Sequence, residues 1–186
     1  TKWFFVAEVH ALKDGEENLR IARENYRKVL ESGNAGQVDL VADRILSMDV
    51  SLNDLKEMEY DALLILKNSL RHRYANALLG TLRAQAGEYE SAERYLRRAM
   101  EVGRPEPGMK NDLALVLSSQ KKHEEAELYA REAVKEGSES WNYRETLARV
   151  LKAAGKVEEA EKELATAREL AKKAGQLEAF EKLVGK

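Results

Sequence analysis

A gapless repeat of 34 residues constrains this chain more than any local propensity does. Shifted against itself by that interval, the sequence puts Leu79 on Leu113 and Leu147, Gly80 on Ala114 and Ala148, and Leu82 on Val116 and Val150. Further along, Ala92 falls on Ala126 and Ala160, Leu96 on Ala130 and Leu164, and Ala99 on Ala133 and Ala167. Two charged positions return unchanged: Glu90, Glu124 and Glu158, then Glu93, Glu127 and Glu161. A period of this length with apolar residues at helical spacing predicts stacked helical hairpins. Within each unit a leucine stands beside a small residue on the first helix, and an alanine of the second helix meets it where the backbones cross. A larger side chain there would hold the helices apart. Gly87 and Gly155 stand where a first helix must end on a left-handed residue, and Lys121 occupies the equivalent place in the middle unit.

Composition narrows the function classes. Lys and Arg number 31 against 33 Asp and Glu, a net charge of −2, so no general attraction to nucleic acid or an anionic surface is expected. There is no cysteine, which removes disulfides, thiolate catalysis and Cys-based zinc sites, but leaves the compartment, cytoplasmic or periplasmic, undecided. No run approaches the ~20 apolar residues of a membrane span. The chain opens on Thr1 rather than Met, which leaves a preceding signal or anchor segment open.

Upstream of Arg73 the register fades. Trp3 to Lys13 reads as a helix with Trp3, Val6, Ala7 and Val9/His10 on one side, followed by a break at Asp14-Gly15. A second helix, with Leu19, Ala22, Tyr26, Val29 and Leu30 at helical spacing, runs to Ser32-Gly33. Asn34-Ala35-Gly36 starts the next unit, with a stripe of Val38, Val41, Ala42, Ile45 and Leu46, and then Ser51 as N-cap of a helix through Leu55, Met58, Ala62, Ile65 and Leu66. After Gly175, Leu177, Phe180, Leu183 and Val184 make one side of a half-polar helix, suited to cover the last hydrophobic edge of an array, with Phe180 as its anchor. The expected organisation is therefore 1–72 as divergent hairpins, 73–174 as three clear repeats (73–106, 107–140 and 141–174), and 175–186 as a C-terminal capping helix. The i,i+4 pairs Glu90/Arg94, Glu93/Arg97, Glu127/Arg131 and Glu158/Lys162 read as solvated surface.

These residues resemble the tetratricopeptide repeat family, clearly over about 100 residues and loosely over most of the rest. The first clean repeat reads Asn76-x2-Leu79-Gly80-x2-Arg83, then Ala92-x3-Leu96, Ala99, with Pro105 one residue late; the family's Trp and first Tyr are not kept, and Leu or Ala replaces Phe. The resemblance implies an all-α fold, a right-handed α-solenoid of antiparallel helix hairpins, and a non-enzymatic adaptor that binds protein. Pentatricopeptide arrays share the period but bind RNA and tend to be basic, and a pI near 6.0 argues against that reading.

No motif for chemistry competes with this. His10, His72 and His123 are not paired with another ligand at metal-binding spacing, and no Gly-rich phosphate loop or nucleophile elbow occurs. No cofactor, no metal and no catalytic residue is expected. The family resemblance places a concave groove on the first helix of each hairpin, which here offers Tyr74 and Thr81, then Asn111 and Ser118, then Asn142, Glu145, Arg149 and Lys152 as candidate peptide-binding residues. Asn111 and Asn142 suit a peptide backbone, Tyr74 an aromatic contact, and Arg149 and Lys152 an acidic group. The clamp with which some members grip chaperone tails would fall on Ala77, Thr81, Asp112, Asn142 and Thr146, and is absent. The expected partner is a protein or peptide bound in the groove, with no nucleic acid and no membrane span in this chain. The alternative is an assembly or homo-oligomerisation part, or an accessory repeat region, of a larger envelope or secretion protein, with Trp3-Phe4-Phe5 as its contact edge.

Overall fold

A computed structural model describes residues 2–33 and 37–185; the expected unit start at Asn34-Ala35-Gly36 lies outside the described residues. Among the described residues there are eleven helices and no strand: α1 (Lys2–Ala11), α2 (Glu16–Glu31), α3 (Val38–Leu52), α4 (Leu55–Asn68), α5 (Arg73–Gln85), α6 (Tyr89–Met100), α7 (Pro107–Ser119), α8 (His123–Glu136), α9 (Trp141–Ala153), α10 (Val157–Lys173) and α11 (Leu177–Val184). The chain divides into two compact units, one of residues 1–86 with 94–102, the other of 87–93 with 103–186. Consecutive helices pack on one another in each: α1 to α5 in the first, α7 to α11 in the second.

In the first unit the expected faces are present with two exceptions. α2 buries Ala22, Tyr26, Val29 and Leu30 as its spacing predicts. On α1, however, the inward side is Phe4, Ala7 and Ala11, whereas Val6 and Val9 face solvent. Phe4 sets this choice: its ring meets Tyr26 edge-on at 6.0 Å, and the residues three and seven positions on must then turn inward too. Ser51 does not cap α4. It lies inside α3, where its hydroxyl donates to the Ser47 carbonyl at 3.2 Å, and Asp54 caps instead, accepting from the amides of Lys56 and Glu57. The carboxylate is the stronger cap because it carries charge to the positive end of the helix.

This unit also buries charge. Asp49 of α3 and Asp61 of α4 are both 0% exposed, beneath Arg23 and Arg27 of α2. Arg23 Nη1 lies 3.1 Å from Asp49 Oδ1, while Arg27 grips both oxygens of Asp61 and reaches Glu57 at 2.6 Å. Two cations therefore face three carboxylates. Burial and the neighbouring Asp61 push Asp49 up, to about 7, because its Oδ2 receives no donor and is satisfied when it carries a proton to Asp61.

In the second unit the 34-residue register appears as repeated hydrogen bonding. Lys121 and Gly155 both have left-handed backbones, with φ of 63° and 79°. The amide of Lys122 donates to the Leu117 carbonyl at 2.9 Å, and that of Lys156 to the Leu151 carbonyl at 2.9 Å, one repeat apart. Leu113, Ala114 and Ala126 are buried between α7 and α8, and Leu147, Ala148 and Ala160 between α9 and α10. Phe180 of α11 meets Trp141 edge-on at 5.8 Å over Ala167 and Ala171. Its spacing had marked it as the anchor of that helix.

Two outcomes follow for stability. Asp49 holds a proton in the folded chain that it gives up in the unfolded one, so its contribution is fully present below about pH 4 and declines as pH rises toward 7. Asp49→Asn keeps the acceptor for Arg23 and supplies a permanent donor to Asp61, so its melting temperature should exceed the parent's by a margin that widens from about pH 5 to about pH 8. Asp61→Asn should instead cost about 3 kcal/mol near neutral pH, because Arg27 loses the carboxylate it grips with two nitrogens and keeps only Glu57. Separately, Lys121→Gly should gain about 0.5–1 kcal/mol in chemical denaturation, the strain of a side chain on a left-handed residue less the added freedom of the unfolded chain.

Candidate functional site

The eight candidate groove residues lie on α5, α7 and α9. In the first unit, Tyr74 is exposed on α5 with the Arg73 guanidinium 5.7 Å from its ring, and the Thr81 hydroxyl donates back to the Ala77 carbonyl at 3.2 Å. In the second unit α7 and α9 pack as neighbours and carry the remaining six. Asn111 and Ser118 of α7 are partly buried; Asn142, Arg149 and Lys152 of α9 are exposed. The side-chain oxygen of Asn111 is buried and takes no hydrogen bond from the described residues.

Three of the six share a cavity of about 590 Å³ bounded by α9, α10 and α11. α9 contributes Glu145, Ala148, Arg149 and Lys152; α10 contributes Val157, Ala160, Glu161 and Leu164; α11 closes it with Leu183 and Val184. The cavity follows from helix length. α11 runs back along α10 from Leu177, beside Ala171, to Val184, beside Leu164, and with eight residues it leaves the first turns of α10 uncovered. Val157, Leu183 and Val184 consequently stay exposed although apolar.

Glu145 is the charged group of the cavity floor. It is only 5% exposed, and among the described residues its one ion pair is with Arg149 Nε at 3.8 Å, one helical turn on. Burial raises its pKa and Arg149 opposes that from a largely exposed position where solvent screens it. Asn111 and Glu145 occupy equivalent positions one repeat apart; Asn111 carries a buried oxygen without a donor among the described residues, and Glu145 a carboxyl raised by burial. The chemistry on offer is hydrogen-bond acceptance and ion pairing beside an apolar wall. Among the described residues no group of three or more His, Asp or Glu side chains is disposed to hold a metal ion, and no helix is long and apolar enough to cross a membrane.

Sequence reasoning missed the apolar wall and the role of the repeating glutamates. Glu127 does pair with Arg131 at 2.9 Å, but it is mostly covered and also receives Lys156 Nζ at 2.8 Å from the following turn, which with Arg131 holds its pKa down. Glu93 receives Lys122 in the same way at 2.7 Å. Only the return of a lysine at the same interval as the glutamate could have shown this in the sequence.

The comparisons with known proteins bear on the fold. The family model described as the tetratricopeptide repeat matches residues 108–135, the α7–α8 hairpin. Among solved structures the chain is similar to a crystal structure of MamA, at 15% identity over 94% of this chain and 93% of that one, with a TM-score of 0.71. MamA from Desulfovibrio magneticus RS-1 gives 16% identity over 92% and 94%, with a TM-score of 0.71. Pseudomonas aeruginosa PilF gives 16% over 90% of each chain, with a TM-score of 0.52. At these identities the likeness concerns the fold. No curated protein matches at the level of sequence. The fold is all-α and built of tetratricopeptide-type helix hairpins, one of which, over residues 108–135, matches the tetratricopeptide repeat model itself.

Glu145 gives this site its own test. Its folded pKa lies above that of an unfolded glutamate, so the stability it contributes is present below that value and is lost as pH rises through the raised one. Glu145→Gln should therefore raise the melting temperature at neutral pH relative to the parent, and a drop would show that the Arg149 pair outweighs desolvation.

Proposed function

We propose that this protein is a non-enzymatic interaction scaffold that binds a peptide or a helix of a partner protein along the α7–α9 face and into the cavity beside α11. The tetratricopeptide-type fold supports the general role. The observation that carries the finer reading is the conjunction of Glu145, Arg149 and Lys152 on one apolar-walled cavity. An apolar surface left exposed and rimmed by polar groups is the usual form of a protein-binding site. In this reading the residues divide into divergent hairpins over 1–72, three repeats over 73–106, 107–140 and 141–174, and a capping helix over 175–186. Tyr74 and Thr81 lie on α5 in the first unit.

A second reading, self-assembly, is favoured by α1. Phe5, Val9 and Leu12 form an exposed apolar stripe, with Leu12 at 87% exposure. The expected edge Trp3-Phe4-Phe5 is corrected in one respect: Phe4 packs inward on Tyr26, and Trp3 lies under the ammonium groups of Lys2 and Lys28 at 4.6 and 4.8 Å. Trp3 and Phe5 remain exposed and lead the contact in this reading.

A photoreactive residue in place of Lys152 should cross-link the partner in an extract of the source cells, and mass spectrometry would identify it. With that partner purified, the triple variant Asn111→Ala, Asn142→Ala, Arg149→Ala should weaken binding by at least about tenfold in titration calorimetry while leaving the helical signal intact. Unchanged affinity would put the contact elsewhere. Loss of a self-associated species on Phe5→Ser with Val9→Ser would support the second reading.

A further inference from the structure

The second unit contains its own template for what the cavity receives. Each turn that closes a first helix returns a lysine to the preceding helix: Lys122 to Glu93 at 2.7 Å and Lys156 to Glu127 at 2.8 Å. The third glutamate of that series, Glu161, has no ion-pair partner among the described residues and is exposed. It lines the cavity of about 590 Å³ and also the neighbouring depression on the far side of Val184. The surface that α9 and Lys156 cover on α8 is thus left half-covered on α10, where α11 is eight residues long and α9 is thirteen.

We infer that the cavity takes an amphipathic helix of a partner protein, apolar on one face and carrying a lysine or arginine that pairs with Glu161 as Lys156 pairs with Glu127. This rests on the scaffold reading above and adds the chemistry and direction of the guest. Val157, Leu164 and Leu183 supply the apolar wall. Glu161 stands on the α10 side and Arg149 and Lys152 on the α9 side, so the guest's base turns toward α10 and an acidic residue suits α9. Glu145, almost wholly buried in the floor, gains a donor from the guest where it now has only Arg149 at 3.8 Å.

The test uses the full chain and a fluorescent synthetic peptide of residues 140–157, which copies α9 and Lys156. Anisotropy should show binding, and Glu161→Lys in the protein or Lys156→Glu in the peptide should each weaken it by about five- to tenfold. Combining the two reversals should recover most of the affinity, which a merely structural role for Glu161 would not produce. Circular dichroism melts matching the parent's establish that the variants fold. Leu183→Asp with Val157→Asp, both on exposed side chains, tests the cavity itself. If these remove binding while the charge reversals do nothing, the pairing inference falls and the scaffold reading stands. If neither change matters, or the peptide does not bind, both fall at this cavity. Self-association of the parent that the peptide competes away and Glu161→Lys abolishes would make the occupant a second copy and overturn the assignment to a separate partner.

Discussion

The close approach of paired helices on alanine is the constraint from which the rest of the structure follows. α7 and α8 bury Ala114 and Ala126, and α9 and α10 bury Ala148 and Ala160. The same device holds the divergent half, where Ala7 and Ala22 are buried between α1 and α2, and Ala42 and Ala62 between α3 and α4. Backbones brought this near leave little apolar area inside one hairpin, so the larger side chains must be buried against the next helix along. Leu117 and Leu151 are fully buried. No hairpin is sufficient alone, and a surface that the next element covers only partly keeps an unsatisfied apolar face.

Legibility in the sequence follows the same rule. Where hairpins have constant length, as from Arg73 on, the alanines and leucines recur at a fixed interval and the helices α5 to α10 can be read directly. In the first unit the paired alanines stand further apart along the chain than Ala114 and Ala126 do, because α2 and α3 are longer. The packing rule is unchanged but its phase is lost, and with it the placement of Asp54 and the orientation of α1. Periodicity reports which positions share an environment; it does not report what fills that environment. Lysine at 122 and 156 and glutamate at 93, 127 and 161 were visible as surface charges, and their pairing across hairpins was not. Of the candidate groove residues, Glu145, Arg149 and Lys152 line one cavity, whose apolar wall comes mostly from α10 and α11.

The buried charges of the first unit are a different kind of solution. Arg23, Arg27, Asp49 and Asp61 take up space that leucine fills in the second unit, and they carry a desolvation cost that apolar packing avoids. Their contribution is directional. Arg27 can satisfy both oxygens of Asp61 only when α2 and α4 meet in one register, and Arg23 ties α3 to the same register through Asp49. Alanine crossings alone tolerate sliding by a helical turn, since a small residue fits many neighbours. In a region where the 34-residue interval no longer sets the spacing, a bidentate ion pair supplies the positional information in its place.

The same comparison bears on the cavity beside α11. Trp141 and Phe180 seal one end of α10 with a donor on the indole satisfied by Gln176 at 2.6 Å, so that end is finished as a protein interior is. Toward Val157 the finish stops: apolar side chains face outward, Glu145 is buried with one distant cation, and Glu161 lacks the lysine its predecessors have. A chain shaped by stability alone would replace Glu145 with an apolar or amide side chain and extend the cover over Val157. Retaining a buried carboxylate beside an open apolar wall makes physical sense where a guest supplies the missing donors and the missing apolar surface together, since each of these deficits is corrected by the same amphipathic helix.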